Sequence, residues 1–182
     1  EPHRHEVCSL GIIITDDAGE IITDGREWLM PCDFVGADPK AIEVNGIDPQ
    51  CHPRLDRDGG IDLFNSRCLE IGDFLHAGTA GEKWRWAGWV PQFDLGFIAA
   101  IPQINLRLPD KRDYHTLDVW PVARTMFADA KHLSEVCKSL GVETYSHTAL
   151  ADAKAALAVW CKLRQLHAMY RDAWLHRGDR DA

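Results

Sequence analysis

An apolar, β-branched segment near the start of the chain does most to restrict the folds available to it. Residues 7–15 read VCSLGIIIT, and the DDAG that follows them is a strong turn signal. Residues 20–30, EIITDGREWLM, resume a strand-like pattern that continues to Pro31. The two segments therefore predict an antiparallel β-hairpin in which Val7–Thr15 pairs with Glu20–Met30.

Helical and strand-like segments alternate along the rest of the 182 residues. Residues 46–65 carry prolines, glycines and aspartates and predict a surface excursion. Helices are predicted at 39–44, 67–77 (capped by Ser66), 93–101, 121–127, 132–140 and 148–170, and short strands at 84–90 and 114–119. The predicted core positions of two of these helices are Leu69, Ile71, Leu75, Leu150, Leu157, Trp160, Cys161 and Leu163. This order predicts one α/β domain, a mixed sheet with helices on its faces.

Composition excludes several classes of protein. The formal net charge is −8, whereas proteins that coat nucleic acid are usually basic, so any contact with nucleic acid should be local and helped by metal ions. The six cysteines form no Cys-x-x-Cys pair, which argues against a zinc ribbon and predicts reduced thiols in a cytoplasmic protein. No apolar run approaches the roughly 20 residues that span a bilayer.

Three titratable residues stand out against apolar surroundings. His147 and Asp152 lie in HTALADAKAAL, at the predicted start of the last helix, and Asp94 lies in GWVPQFDLGFIAAI, where a strand passes into a helix. Helical residues turn by about 100° each, so His147 meets Asp152 only if it lies on the loop before the first turn. Ligands usually bind at strand ends in α/β sheets, which predicts that all three meet at one sheet edge.

These motifs resemble those of the DEDD superfamily of 3′–5′ exonucleases, in the branch whose last motif contains a histidine. This branch includes the proofreading subunit of the bacterial replicative polymerase, ribonuclease T and oligoribonuclease. HTALADA (147–153) is similar to the family's last motif, and WVPQFDL (89–95) resembles the middle one without the frequent His-Asn before it. AIEVNGI (41–47) and LSEVCKSLG (133–141) extend the resemblance over essentially the whole chain.

The resemblance implies a ribonuclease H-like mixed sheet flanked by helices and an exonuclease domain over residues 1–182. It implies hydrolysis of DNA or RNA from single-stranded or frayed 3′ ends, in the cytoplasm, with no membrane partner, and it is compatible with a homodimer. Asp94 and Asp152 would hold two divalent ions, Mg²⁺ or Mn²⁺, and His147 would be the general base. The family's first strand, with its Asp-x-Glu motif, is absent from the 182 residues, so the domain is expected to be N-terminally incomplete.

Plainer interpretations remain beside these. The domain could be a non-catalytic relative that binds nucleic acid or protein, and Asp94 could simply cap the next helix. Three tryptophans near Asp94 could stack bases, although core packing is the commoner role: Trp84, Trp86 and Trp89. Neither His3-Arg4-His5 nor Cys51-His52 has a partner at zinc spacing. Several nearby cations could contact phosphates, but we expect them to be ordinary solvent-exposed side chains: Lys83, Arg85, Arg107, Lys111 and Arg112.

Overall fold

The computed structural model describes residues 7–34, 37–44, 46–129, 131–144 and 148–175. Within these residues the protein is a small α/β protein with four strands and seven helices. The strands are β1 (Ser9–Thr15), β2 (Ile21–Leu29), β3 (Ala87–Gly88) and β4 (Leu117–Asp118). The helices are α1 (Pro39–Val44), α2 (Gly60–Thr79), α3 (Pro91–Ala99), α4 (Pro102–Asn105), α5 (Val119–Met126), α6 (Leu133–Leu140) and α7 (Ala149–Leu175).

The predicted hairpin is confirmed. β1 and β2 pair antiparallel from Ser9 opposite Leu29 to Thr15 opposite Ile21, with two irregularities in register. The turn between the strands closes on Asp16, whose side chain accepts a hydrogen bond from the Glu20 N–H at 2.8 Å. Gly19 supplies the positive φ of 90° that this turn requires.

The remaining strands do not join the hairpin. β3 pairs only with β4, in parallel, so the described residues form two two-stranded sheets rather than the one mixed sheet predicted. The strand predicted at 84–90 is reduced to Ala87–Gly88 and an isolated bridge between Trp84 and Arg112. It ends early because Val90 adopts a left-handed conformation, with φ 58°, which no strand continues through.

Most helices lie within a few residues of their predicted positions, but α2 starts earlier than expected. It begins at Gly60 inside the predicted surface excursion, and Gly59 rather than Ser66 precedes its first turn. The predicted cap is therefore wrong, and the Ser66 hydroxyl contacts the Glu70 carboxylate instead, at 3.5 Å. Leu69 is exposed, contrary to prediction, whereas Ile71 and Leu75 are buried.

Helices cover both faces of the hairpin. On one face Trp28 packs edge-on against Phe74 of α2, with ring centroids 5.2 Å apart. On the other face α7 crosses β1 so closely that a Cβ atom on Gly11 would overlap the backbone of Ala149 and Leu150. Leu163 is the fully buried member of the core set predicted for α7, and the other four are partly buried. β1 is thus held between α2 and α7.

A second core lies between α5, α6 and α7. Its fully buried members include Val119, Ala123, Val136, Val159 and Leu163. The Cys32 thiol contacts the Cys8 sulfur at 3.4 Å. In the part of the chain that the structure describes, no helix is both long enough and apolar enough to cross a membrane.

Candidate active site

Asp94 lies in the first turn of α3, immediately beyond the end of β3. The turn that leads into this helix is strained, because Val90 is β-branched and has a φ of 58°. Asp118 at the end of β4 holds the turn: its Oδ1 accepts hydrogen bonds from the Val90 N–H at 3.2 Å and the Trp120 N–H at 3.0 Å. One carboxylate therefore caps α5 and fixes the turn that carries Asp94.

Asp152 lies in the first turn of α7, on an anchored helix start. The Thr148 hydroxyl accepts a hydrogen bond from the Ala151 N–H at 3.2 Å. The Glu27 carboxylate, on β2, accepts one from the Ala149 N–H at 3.0 Å. The close approach of α7 to Gly11 adds a steric constraint to these two bonds, so the hairpin sets the position of Asp152.

The two aspartates open on the same cleft, and their charges interact. Burial raises the pKa of Asp94 above its usual range, and the negative charge of Asp152 raises it further. Asp94 nevertheless keeps more than a third of its surface exposed, so its burial is that of a group in a cleft and not in a core. Burial and the charge of Asp152 likewise raise the pKa of the Cys137 thiol, which places Asp152 near α6.

The predicted third member of the site, His147, lies outside the described residues, as do His3, Arg4 and His5. Of the sites predicted from sequence, the structure thus places Asp94 and Asp152, which it brings together. No group of three or more His, Cys, Asp or Glu side chains suited to a metal occurs among the residues that the structure describes.

The donor set that is present fits a hard divalent cation. Carboxylate oxygens are the ligands that Mg²⁺ and Mn²⁺ prefer, and two like charges at one site repel each other until a cation lies between them. Burial is the main cause of the raised pKa of Asp94, and the negative charge of Asp152 adds to it. Asp94 and Asp152 each present a carboxylate, the kind of ligand that such an ion prefers.

The plainer interpretations of nearby residues are resolved in part. The residue at the N-cap of α3 is Val90, so Asp94 is not the cap. Trp84 and Trp86 pack edge-on against each other at 5.1 Å, and all three tryptophans are partly buried, which favours packing over base stacking.

Two of the cations form ion pairs, Lys83 with Asp113 at 2.8 Å and Arg85 with Asp17 at 3.0 Å. His52 is buried and its Nε2 contacts the Met30 carbonyl at 3.0 Å.

Three site residues were not identified from the sequence. The contact of Glu27 with Ala149 spans 122 positions, and that of Asp118 with Val90 spans 28, so neither contact follows from a local pattern. Asp118 also caps α5 locally through Trp120, and this capping signal was overlooked in the sequence. Phe93 lines the cleft beside Asp94, is 63% exposed, and contacts Phe97 edge-on at 5.2 Å. The unusual exposure of a phenylalanine became visible only with the fold.

Comparison with protein-family models finds none that matches this chain, and comparison with curated protein sequences finds no significant match.

Proposed function

We propose that the protein is a metal-dependent 3′–5′ exonuclease, built on a ribonuclease H-like fold, that hydrolyses DNA or RNA from the 3′ end. The observation that carries this proposal is the convergence of Asp94 and Asp152 on one cleft, from helix starts that are distant in sequence. The resemblance of the motifs around both residues to those of the histidine-containing DEDD exonucleases assigns the chemistry.

In this proposal the side chains divide the work. Asp94 and Asp152 hold divalent ions, Mg²⁺ or Mn²⁺, together with carboxylates from the Asp-x-Glu motif expected upstream. Bound metal would stabilise the charge that develops on the phosphate during hydrolysis. His147 takes the proton from the attacking water, a task for which an imidazole is suited near neutral pH.

The test uses the polypeptide extended upstream through the expected first motif. Single-stranded DNA and RNA labelled at the 5′ end, with either a free or a blocked 3′ hydroxyl, are incubated with Mg²⁺ at several pH values. Free ends should yield a ladder of shortened products, whereas blocked ends should persist. His147→Ala should lower turnover about 10²–10⁴-fold, and Asp152→Asn should also weaken metal binding.

The matched control is Asp62→Asn, because Asp62 also lies in the first turn of a helix and does not line the cleft. This variant should keep the parent rate. Equal rates for the parent, Asp94→Asn and Asp152→Asn proteins would contradict the proposal.

The second candidate is a non-catalytic domain that binds nucleic acid or protein. The observation that favours it is that no group of three or more His, Cys, Asp or Glu side chains suited to a metal occurs in the described part of the chain. The residues upstream of Glu1 discriminate between the candidates: an Asp-x-Glu strand favours the enzyme, and a strand without these carboxylates favours the binding domain. An oligonucleotide that binds with Mg²⁺ present but is not shortened would support the second candidate.

A further inference from the structure

Two cysteines that are distant along the chain meet at the end of the hairpin opposite its turn. Cys8 immediately precedes β1, and Cys32 lies three residues beyond the end of β2. Their sulfur atoms are in contact at 3.4 Å. Because a disulfide bond is about 2.0 Å long, the two sulfurs need to approach by about 1.4 Å to form one.

Backbone pairing on both sides places these two cysteines. The Met30 N–H donates to the Cys8 carbonyl at 2.8 Å, which continues the antiparallel pairing of β1 with β2. The Cys32 N–H donates to the Pro53 carbonyl at 3.2 Å, and the Cys32 carbonyl accepts from the Leu55 N–H at 3.3 Å. The contact between the sulfurs therefore follows from the fold of three segments of the chain.

The two thiols differ in their access to solvent. Cys8 is half-buried, whereas Cys32 is only 1% exposed. Both residues line the cleft, which is open to small molecules. An oxidant in the cleft reaches Cys8 more easily, and Cys32 is then in position to react with the sulfur of Cys8. A more accessible cysteine beside a resolving cysteine is the arrangement found at redox-sensitive sites.

The other four cysteines are less suited to this chemistry. Cys68 and Cys137 are buried within helices α2 and α6. The hydrogen bond and the negative charge of Asp48 raise the pKa of the Cys51 thiol, which disfavours the reactive thiolate. Cys161 resembles Cys8 in exposure, but its thiol contacts the Gly19 carbonyl, at 4.0 Å.

We propose that Cys8 and Cys32 form a thiol–disulfide site, which a small-molecule disulfide such as oxidised glutathione converts reversibly to an intramolecular disulfide. The Cys8 thiolate attacks one sulfur of the reagent, forms a mixed disulfide and releases one reduced glutathione. The Cys32 thiolate then attacks the Cys8 sulfur, forms the internal bond and releases the second reduced glutathione. The two cysteine protons end on the two glutathione thiols, and two electrons pass from the protein to the reagent.

The bond cross-links the hairpin at its open end. It joins residues that are 24 positions apart, and closing this loop restricts the unfolded chain and so stabilises the folded one. Since Cys32 is hydrogen-bonded to Pro53 and Leu55, the cross-link also ties β1 to the segment that precedes α2. This site is independent of the proposed nuclease activity.

The test is disulfide mapping of the 182-residue chain after incubation with oxidised glutathione. Remaining thiols are alkylated in denaturant, and the chain is digested with trypsin. Cleavage after Arg26 separates the two cysteines, with Cys8 in residues 5–26 and Cys32 in residues 27–40. The expected product is these two peptides linked, lighter than their sum by two hydrogen atoms, and separated again by dithiothreitol.

Two variants and a thermal measurement sharpen the result. Cys32→Ser should accumulate glutathione on Cys8, because no second thiol displaces it, whereas the parent should not. Cys161→Ser is the matched control, since it also removes a half-buried cysteine, and it should form the same linked peptides as the parent. Oxidation should raise the Tm of the parent by roughly 4–16 °C and leave that of Cys32→Ser unchanged.

The same oxidation in urea provides the reference for an unfolded chain. There, pairs with a shorter separation, such as Cys32 with Cys51, should form at least as often as Cys8 with Cys32. A Cys8–Cys32 link that is absent from the folded parent, or no more frequent there than in urea, overturns the inference. A lasting glutathione adduct on Cys8 of the parent also overturns it, because Cys32 would then fail to resolve the mixed disulfide.

Discussion

Substituting Gly11 with alanine should separate the start of α7 from β1. A Cβ atom at this position would overlap backbone atoms of Ala149 and Leu150. Because the overlapping atoms belong to the backbone, no change of side-chain rotamer can relieve the clash. Carbon atoms reach favourable contact near 3.5 Å, so the two backbones must part by about 1 Å. Overpacking of this kind costs about 1–3 kcal/mol, and we expect the upper half of that range because backbone must move.

The assay is urea denaturation followed by tryptophan fluorescence, in which the buried Trp28 reports on the hairpin. A loss of about 2–3 kcal/mol in the free energy of unfolding corresponds to a fall in Tm of roughly 4–12 °C for a chain of this size. Gly88→Ala is the matched control, since a Cβ there would lie 3.6 Å from its nearest neighbour, Pro91 Cβ, in ordinary contact. Equal stability of the two variants would refute the packing of α7 directly on β1.

Three further predictions concern the candidate site. Burial and the charge of Asp152 raise the pKa of Asp94, so folding favours the protonated carboxyl group, and the stability that this gives is lost as pH rises through the raised pKa. The Asp94→Asn variant should therefore become more stable relative to the parent as pH rises from about 3 to about 7. Urea titrations in the presence of EDTA measure this difference. A constant difference, or the same gain in Asp62→Asn, would contradict this. Asp118→Ala should lower the free energy of unfolding by about 1–2 kcal/mol. Asp118→Asn should lower it by less, because the amide oxygen can still accept the hydrogen bonds from Val90 and Trp120. Equal losses for the two variants in urea titrations would exclude the capping role. If the exposed Phe93 stacks a base, Phe93→Ala should raise KM for a single-stranded oligonucleotide roughly 5–100-fold with kcat little changed, and an unchanged KM would place the ring outside the binding surface.

The parts of the fold that sequence predicted are those governed by local patterns. An apolar, β-branched segment and a DDAG turn were enough for the hairpin, and Pro39–Val44 was predicted with the bounds observed. The start of α2 was missed because Gly59 and Gly60 are typical of loops, yet Gly59, with a φ of 77°, is the N-cap and the helix begins at Gly60. Local composition could not distinguish a glycine that interrupts a helix from one that precedes it.

Within the candidate site, only the residues that lie in recognisable sequence motifs could be predicted. Asp94 and Asp152 were found because each stands at the junction of a recognisable segment with a helix. Glu27 was not, because its bond to the Ala149 N–H connects β2 with a helix start 122 residues away. Whether the pair of aspartates converges depends on such long-range contacts, and these follow from the packing of the whole chain.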